Sequence, residues 1–405
     1  MDFGLQPCDS KDDLTMRKPV TLEDPSKATT ESFINKLPPE ILAYILCRFP
    51  AVRLQRLRCV CKLWDLIIHE RSFIEQHFNS RANMKDPGII TLSCKTGFSL
   101  EFYAEGSNFR VLREIVMSEH MKETYYHMTN SCHGMICVFG LISINVINPS
   151  INKPRALPDS GLHIQRYKII DDCPLVGIGF DSSTRTYKVV RIFRCSSSKT
   201  NSNKMSMRCE VYTLGGGGGG CSSWKYVGEA PISPDAFNSM GNFPVVVNDA
   251  VHWIIRTEGH PTIPATKIAL SFNVQDETFS LIPPPEGRSI SGVVSSLVEL
   301  EGCLSVCDTR LSPEQMDIWM LKDYNNHEWV KQYTIDLRMM HSLLVSRGGR
   351  TRLLAVRDGM MLFYNVNGRM DYYDPESKNF VKHERLVPCG FCFAPFVGSL
   401  IWPEL

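Results

Sequence analysis

The 405-residue sequence predicts an α+β multidomain protein: a small three-helix module near the N-terminus, then an all-β domain of propeller-like architecture. Three observations carry this reading. Apolar residues recur at helical spacing between residues 33 and 79. After about residue 86, short β-prone runs take over, each closed by Gly, Pro, Asn or Asp. Those runs return as a weak internal repeat, whose later spacings of roughly 50 to 60 residues approach those of kelch-type propeller blades.

Residues 1–31 show no periodicity. Phe3 is their one aromatic, and charge, Thr, Ser and Pro dominate. Such a stretch buries too little apolar surface to offset its ordering entropy, so a disordered tail is expected.

Residues 32–80 form the helical module. Leu37-Pro38-Pro39-Glu40 opens an apolar series at Ile41, Leu42, Ile45, Leu46 and Phe49, the spacing of one helix face. A proline at the first helical position gives up an amide that would be unpaired there anyway. Glu40 in the first turn favours the helix dipole, and Pro50 is expected to stop the helix. A second series runs through Leu54, Leu57, Cys61, Trp64 and Ile68, with Arg53, Arg56, Arg58 and Lys62 on its polar side. Phe73, Ile74 and Phe78 suggest a third short helix. A module this small has a meagre core and often gains from a partner.

Residues 81–405 form the β-domain. Expected strands include Gly88 to Ser93, Ser99 to Tyr103, Met135 to Phe139, Tyr187 to Phe193, Val245 to Val247, Val251 to Ile255, Ile268 to Val274, Leu353 to Val356 and Met361 to Val366. One half of the repeat is a tight-turn signal followed by an apolar strand, as at Gly134, at Asn248-Asp249, at Gly302 and at Asp358-Gly359. The other half is an outer strand with a turn and an aromatic or apolar close, as from Asn148-Pro149 to Leu157, Asn273 to Phe279, Ile318 to Trp329 and Asp374-Pro375 to Phe380. Each unit would be a small antiparallel sheet that buries its faces only against its neighbours. A pair of stacked β-sandwiches is the alternative architecture.

Composition bounds the function. Hydrophobic residues make up 43% and charged residues 21%, with a formal net charge of +1. That balance argues against a surface built throughout for nucleic acid or anionic membrane. The longest apolar stretch, Met135 to Ile147, falls short of the ~20 residues of a membrane span, and no secretory signal is expected at the N-terminus. The 15 cysteines are scattered through apolar runs. They read as reduced thiols used as small hydrophobes, which suits the cytoplasm or nucleus.

Motifs for chemistry are weak. The six glycines Gly215 to Gly220 have no helix after them and read as a loop between two strands of one blade, not a nucleotide cradle. Cys389 and Cys392 form a lone C-x-x-C pair without a second pair for zinc. Cys132-His133 with Cys137 is equally slight. Arg347, Arg350 and Arg352 read as a solvated hairpin loop. No catalytic, cofactor-binding or metal-binding residue is expected.

The helical module resembles the F-box. The match runs through Leu37-Pro38, Glu40-Ile41-Leu42, Ile45-Leu46, Phe49-Pro50, Leu54, Leu57, Val60-Cys61 and Trp64. Phe49 stands where the family usually has Leu. Further on, Gly177-Ile178-Gly179-Phe180-Asp181 through Val190, Cys132-His133-Gly134 through Cys137, and Asn148-Pro149-Ser150 resemble the F-box-associated domain of plant F-box proteins. The resemblance implies a non-catalytic substrate receptor of an SCF-type cullin–RING ubiquitin ligase. Its F-box would dock on a Skp-family adaptor, and through it on cullin and RING subunits, while the β-domain holds a client protein. It places Leu37, Pro38, Ile41, Leu42, Ile45, Val60, Cys61 and Trp64 at the adaptor, with an internal core role open for Trp64. The alternatives are a non-ligase F-box scaffold and a propeller-fold enzyme. Client contacts are expected in the uneven loops Asp159 to Pro174, Ser196 to Lys204, Gly228 to Asn242, Thr257 to Thr266 and Thr309 to Gln315.

Overall fold

A computed structural model describes residues 37–82, 88–93, 99–103, 111–116, 126–159, 173–196, 205–215, 223–234, 243–256, 267–285, 295–309, 314–340, 351–357, 359–365, 369–385 and 390–403. The expected disordered tail, 1–31, lies outside them.

Four helices, not three, build the N-terminal module: α1 (Pro39–Leu46), α2 (Ala51–Leu57), α3 (Lys62–His69) and α4 (Arg71–Ala82). Pro39 sits in the first turn of α1 beside Glu40, as expected. Pro50 opens α2 as its N-terminal cap, since α1 has already ended at Leu46. The series from Leu54 to Ile68 is one apolar pattern on two helices. Cys61 takes an extended backbone (φ −161°, ψ 166°), which breaks the chain before α3. Arg58 braces the corner, its Nε donating to Asp65 Oδ1 at 2.7 Å and its Nη1 to Gln55 Oε1 at 2.8 Å.

The described β residues form six four-stranded antiparallel sheets. The second sheet runs β4 (His127–Met128), β5 (Ile136–Phe139), β6 (Ile144–Asn148) and β7 (Lys153–Ala156). The third runs β8 (Leu175–Asp181), β9 (Thr186–Ser196), β10 (Met205–Leu214) and β11 (Lys225–Glu229). The fourth runs β12 (Val245–Val247), β13 (Ala250–Arg256), β14 (Lys267–Asn273) and β15 (Thr278–Ile282). The fifth runs β16 (Ser295–Leu300), β17 (Cys303–Asp308), β18 (Gln315–Asp323) and β19 (Glu328–Asp336). The sixth runs β20 (Thr351–Arg357), β21 (Met360–Asn365), β22 (Arg369–Asp374) and β23 (Asn379–Arg385). The first sheet is composite. The late strand β24 (Gly390–Phe396) pairs with β1 (Gly88–Ser93), followed by β2 (Ser99–Tyr103) and β3 (Val111–Val116).

The first strands of successive sheets are neighbours in a closed circle: β24 beside β4, β12 beside β16, β16 beside β20 and β20 beside β24, with β8 between β5 and β13. Six apolar clusters fill the six seams between adjacent sheets. The architecture is a six-bladed propeller, and a pair of stacked sandwiches is excluded.

The weak repeat has a physical source in its turns. Between first and second strands, Asn248-Asp249 and Glu301-Gly302 both hold positive φ, the backbone of a tight hairpin turn. Between third and fourth strands, an Asn or Asp accepts backbone amides two or three residues on, and the residue four places on adopts the left-handed conformation. Asn273 with Glu277, Asp323 with His327 and Asp374 with Lys378 share this geometry. Only the Asn/Asp position is chemically restricted, so the repeat leaves little trace in sequence.

Gly177 and Gly179 on β8 are steric requirements. A Cβ on Gly177 would lie 2.4 Å from Val251 Cγ1 and 2.8 Å from Trp253 Cζ2, and one on Gly179 would lie 2.5 Å from Val274 Cγ2. Their absence lets the third blade close on the fourth, where Trp253 and Phe272 are fully buried. Lys188 crosses the same seam, donating to the Val274 carbonyl at 2.8 Å and pairing with Asp181 and Glu277 at 3.2 and 3.0 Å.

Candidate functional site

The apolar series on α1 divides between two destinations. Leu42 and Leu46 point into the module, where they pack with Cys47, Ala51, Leu54, Ile67, Ile68 and Phe73. Leu37, Ile41 and Ile45 stay outside, with Ile41 47% exposed. Tyr44, Phe49, Val60 and Leu66 are exposed as well. A module of four short helices therefore covers one apolar edge of α1 and leaves the other bare. Leaving a Leu- or Ile-sized side chain in water forgoes about 1.5–3 kcal/mol of burial.

Pro38 is exposed at the cap of α1, and Val60 is 57% exposed at the corner before α3. Cys61 is half-buried at that corner. Trp64 is half-buried and packs against the module core. Leu42 departs from the expected surface set: at 2% exposure it supports the face from within. The outward and inward positions alternate because a helix turns 100° per residue, so Ile41 and Leu42 fall on adjacent flanks of one broad stripe.

Tyr44 and Arg48 extend the bare face. Arg48 Nη2 donates to Tyr44 Oη at 2.6 Å, and the guanidinium lies 4.6 Å from the ring centroid. The Arg58 guanidinium beside Asp65 holds its carboxyl below the usual range. His77 on α4 is buried, and its Nε2 donates to the Phe49 carbonyl at 2.9 Å, which ties α4 to the end of α1.

The helical module is seated on the propeller by residues from three of the motifs singled out in the sequence. His133 occupies a left-handed turn (φ 50°) before Gly134 (φ 78°). Its imidazole lies 4.5 Å from the Phe78 ring of α4 and 4.8 Å from Phe180, and its Nδ1 is 3.1 Å from Tyr187 Oη. Burial pushes the imidazole down to about 4, so it is neutral at physiological pH. Asn148 Nδ2 donates to the carbonyls of Ser399 and Ile401 at 3.1 and 2.7 Å. Between those two residues, Leu400 enters the core of the helical module, with Ile151 beside it. Arg185 reaches Glu75 at 3.8 Å. Leu400, Ser399 and Ile151 carry no motif of their own in the sequence.

All of these contacts come from one end of the propeller. His133 and Arg185 lie between first and second strands, and Ile151 lies between a third and a fourth. The uneven loops expected to meet a client join strand ends at the other end, because each links a second strand to a third or one blade to the next. Most of their residues lie outside those described, as do Gly216 to Gly220, Cys389 and Arg347 to Arg350. The glycine run does join β10 to β11, two paired strands of one blade.

Most of the described cysteines are buried; Cys59 is exposed, and Cys61 and Cys303 are half-buried. Cys47, Cys132, Cys137, Cys173, Cys195, Cys209, Cys307 and Cys392 are free thiols and buried. Burial pushes Cys132, Cys209, Cys307 and Cys392 up to about 12, far from reactive thiolates. Among the described residues, no three His, Cys, Asp or Glu side chains gather as a metal site. No described helix is long and apolar enough to cross a membrane.

A six-bladed propeller with a helical module seated on one end, its outer apolar edge bare, defines a propeller-bearing F-box protein. Residues 34–80 match the F-box-like family and residues 91–385 match the F-box associated beta propeller domain. The chain belongs to the F-box-associated β-propeller family. F-box protein At5g10340 of Arabidopsis thaliana is 25% identical over 94% of this chain and 88% of its own. F-box protein At3g07870 of the same plant is 27% identical over 75% of this chain and 73% of its own. Among solved structures, Citrobacter koseri AztD overlays 77% of this chain and 72% of its own at 10% identity, with a TM-score of 0.38. At the level of the family, the chain is a receptor subunit of the SCF type.

Proposed function

We propose that this protein is the substrate-recognition subunit of an SCF-type cullin–RING ubiquitin ligase in the cytoplasm or nucleus. The F-box docks on a Skp-family adaptor, and the far end of the propeller holds a client protein. The observation that carries this reading is the division of α1, with Leu42 and Leu46 inside and Leu37, Ile41 and Ile45 bare. A few apolar anchors of this kind support a tight complex, even after association costs are subtracted. Pro38, Val60, Cys61 and Trp64 complete the docking face, and Leu42 sets its shape from beneath.

The receptor performs no bond chemistry itself. It holds client lysines near a ubiquitin-conjugating enzyme that the cullin and RING subunits deliver, so the acceleration comes from effective concentration and orientation. The test is pull-down of a purified Skp-family adaptor and a cullin by wild type and by an Ile41→Asp/Ile45→Asp variant. Capture of both by wild type and of neither by the variant supports the reading. Adaptor capture without cullin would point to a scaffold outside the ligase. Capture of neither by folded wild type would overturn the docking assignment.

A further inference from the structure

The helical module does not own a complete core. Leu400, only 5% exposed, is part of the cluster formed by Leu42, Leu46, Ala51, Leu54, Ile67, Ile68 and Phe73. It arrives from the segment that follows β24, so the propeller supplies a core residue to the helices. The segment is itself pinned. Asn148 holds it through the Ser399 and Ile401 carbonyls, and Ser399 Oγ donates to the His133 carbonyl at 2.6 Å. Gly134 completes the seat, since a Cβ there would lie 2.5 Å from Ser399 Oγ and 2.8 Å from its amide nitrogen.

Two further contacts reach the module beside this plug. The Phe78 ring packs on His133, and Glu75 meets Arg185. Both partners belong to α4, whereas Leu400 sits among residues of all four helices. One contact alone would permit pivoting; separate contacts on different elements fix an angle. Domains joined only by a small polar interface move relative to one another by default. A shared apolar core removes that freedom.

We propose that the segment Gly398–Trp402 is a coupling element that holds the F-box at one fixed angle on the propeller. Leu400 and Asn148 are then positioning residues for ubiquitin transfer. The coupling stands on the geometry alone; its role in transfer rests on the receptor reading above. Transfer by proximity depends on how narrowly the client is presented, because a swinging receptor dilutes the client's lysines through a larger volume.

The test uses the full chain, with spin labels on unnatural residues that replace exposed Glu40 of α1 and Glu328 of β19. Double electron–electron resonance reads the distance between them. Wild type should give one narrow distribution. Leu400→Ala should broaden it about twofold, the freedom expected of domains without a shared core, and Leu400→Met should restore it. A Leu400→Ala protein that keeps its helices and its narrow distribution overturns the proposal. If circular dichroism shows that Leu400→Ala melts the helices, Asn148→Ala decides, since it leaves the module's core atoms in place. Broadening in Asn148→Ala supports the coupling, and an unchanged distribution overturns it. No adaptor is present in these measurements. Failure of wild type to capture a Skp-family protein would therefore sink the receptor reading and leave the coupling result standing.

Discussion

The ring of Phe78 packs 4.5 Å from the imidazole of His133, one ring from the last helix of the F-box and one from a turn of the second blade. His133 also meets Phe180 and Tyr187 of the third blade, so the pair ends an aromatic stack rooted in the propeller. Such pairs contribute about 0.5–1.5 kcal/mol beyond area burial. Phe78→Ala should lower stability by roughly 1–2 kcal/mol, read as a lower calorimetric midpoint. Unchanged midpoints would show that the stack contributes nothing to the seat.

On α1, adjacent residues should respond in opposite ways. Ile41→Asp should leave the circular dichroism and melting of the protein intact while weakening adaptor binding by about tenfold or more, the equivalent of one lost apolar anchor. Leu42→Ala should do the reverse, destabilising the helices by about 2–4 kcal/mol through the cavity left in the core. Calorimetry and titration of the adaptor on both variants separate the two roles. Equal effects on binding with both proteins folded would place Leu42 at the surface, against its burial.

The seam between the third and fourth blades should be sensitive to a single methyl group. Gly179 has an ordinary φ, so Gly179→Ala acts through overlap with Val274 and should cost about 1–3 kcal/mol. Val274→Ala alone should also destabilise, by loss of buried volume. The double variant should be more stable than the sum of the two costs, because the smaller residue at 274 relieves the overlap. Strict additivity in urea unfolding would show that the overlap is relaxed elsewhere.

His252 makes stability depend on pH. It is fully buried, its Nδ1–H donates to the Val245 carbonyl at 3.2 Å, and its Nε2 accepts from Tyr324 Oη at 2.7 Å. Burial pushes its imidazole down from 6.5 to about 4, against a smaller upward pull from the backbone carbonyls. The unfolded chain takes up the proton first, so this contribution is fully present above pH 6.5 and is lost as pH falls toward 4. The full loss is about 3 kcal/mol. The difference in urea midpoint between wild type and His252→Asn should therefore shrink between pH 7 and pH 4.5. A difference independent of pH would mean that His252 takes up its proton at the same pH in the folded and unfolded chain, against its burial.

Much of the fold was legible because its signals are local. Pro38-Pro39-Glu40 marks the start of α1 by helix-end chemistry, and Asn248-Asp249 marks a hairpin by its demand for positive φ. The break at Cys61 was not legible, since Leu57, Cys61 and Trp64 keep helical spacing across it and only the Arg58–Asp65 contact shows the corner. On α1, spacing located the apolar stripe but not which flank lies inside. That depends on Leu54, Ile67 and Leu400, the last of which lies more than 300 residues away. Asn148 and His133 could be singled out as motif residues, yet what they hold, the segment around Ser399, has no pattern to find.

The first blade joins the two ends of the β-domain, and Leu400 follows directly after its last strand. Consider the chain emerging from a ribosome. With everything up to residue 389 made, five sheets are complete and the first has three strands of four. The ring is still open, and the helices at the front still lack their borrowed leucine. Both gaps close within one short stretch of translation, Gly390 to Leu400. A product terminated before this stretch thus has neither the fourth strand of the first sheet nor the leucine that completes the helical core.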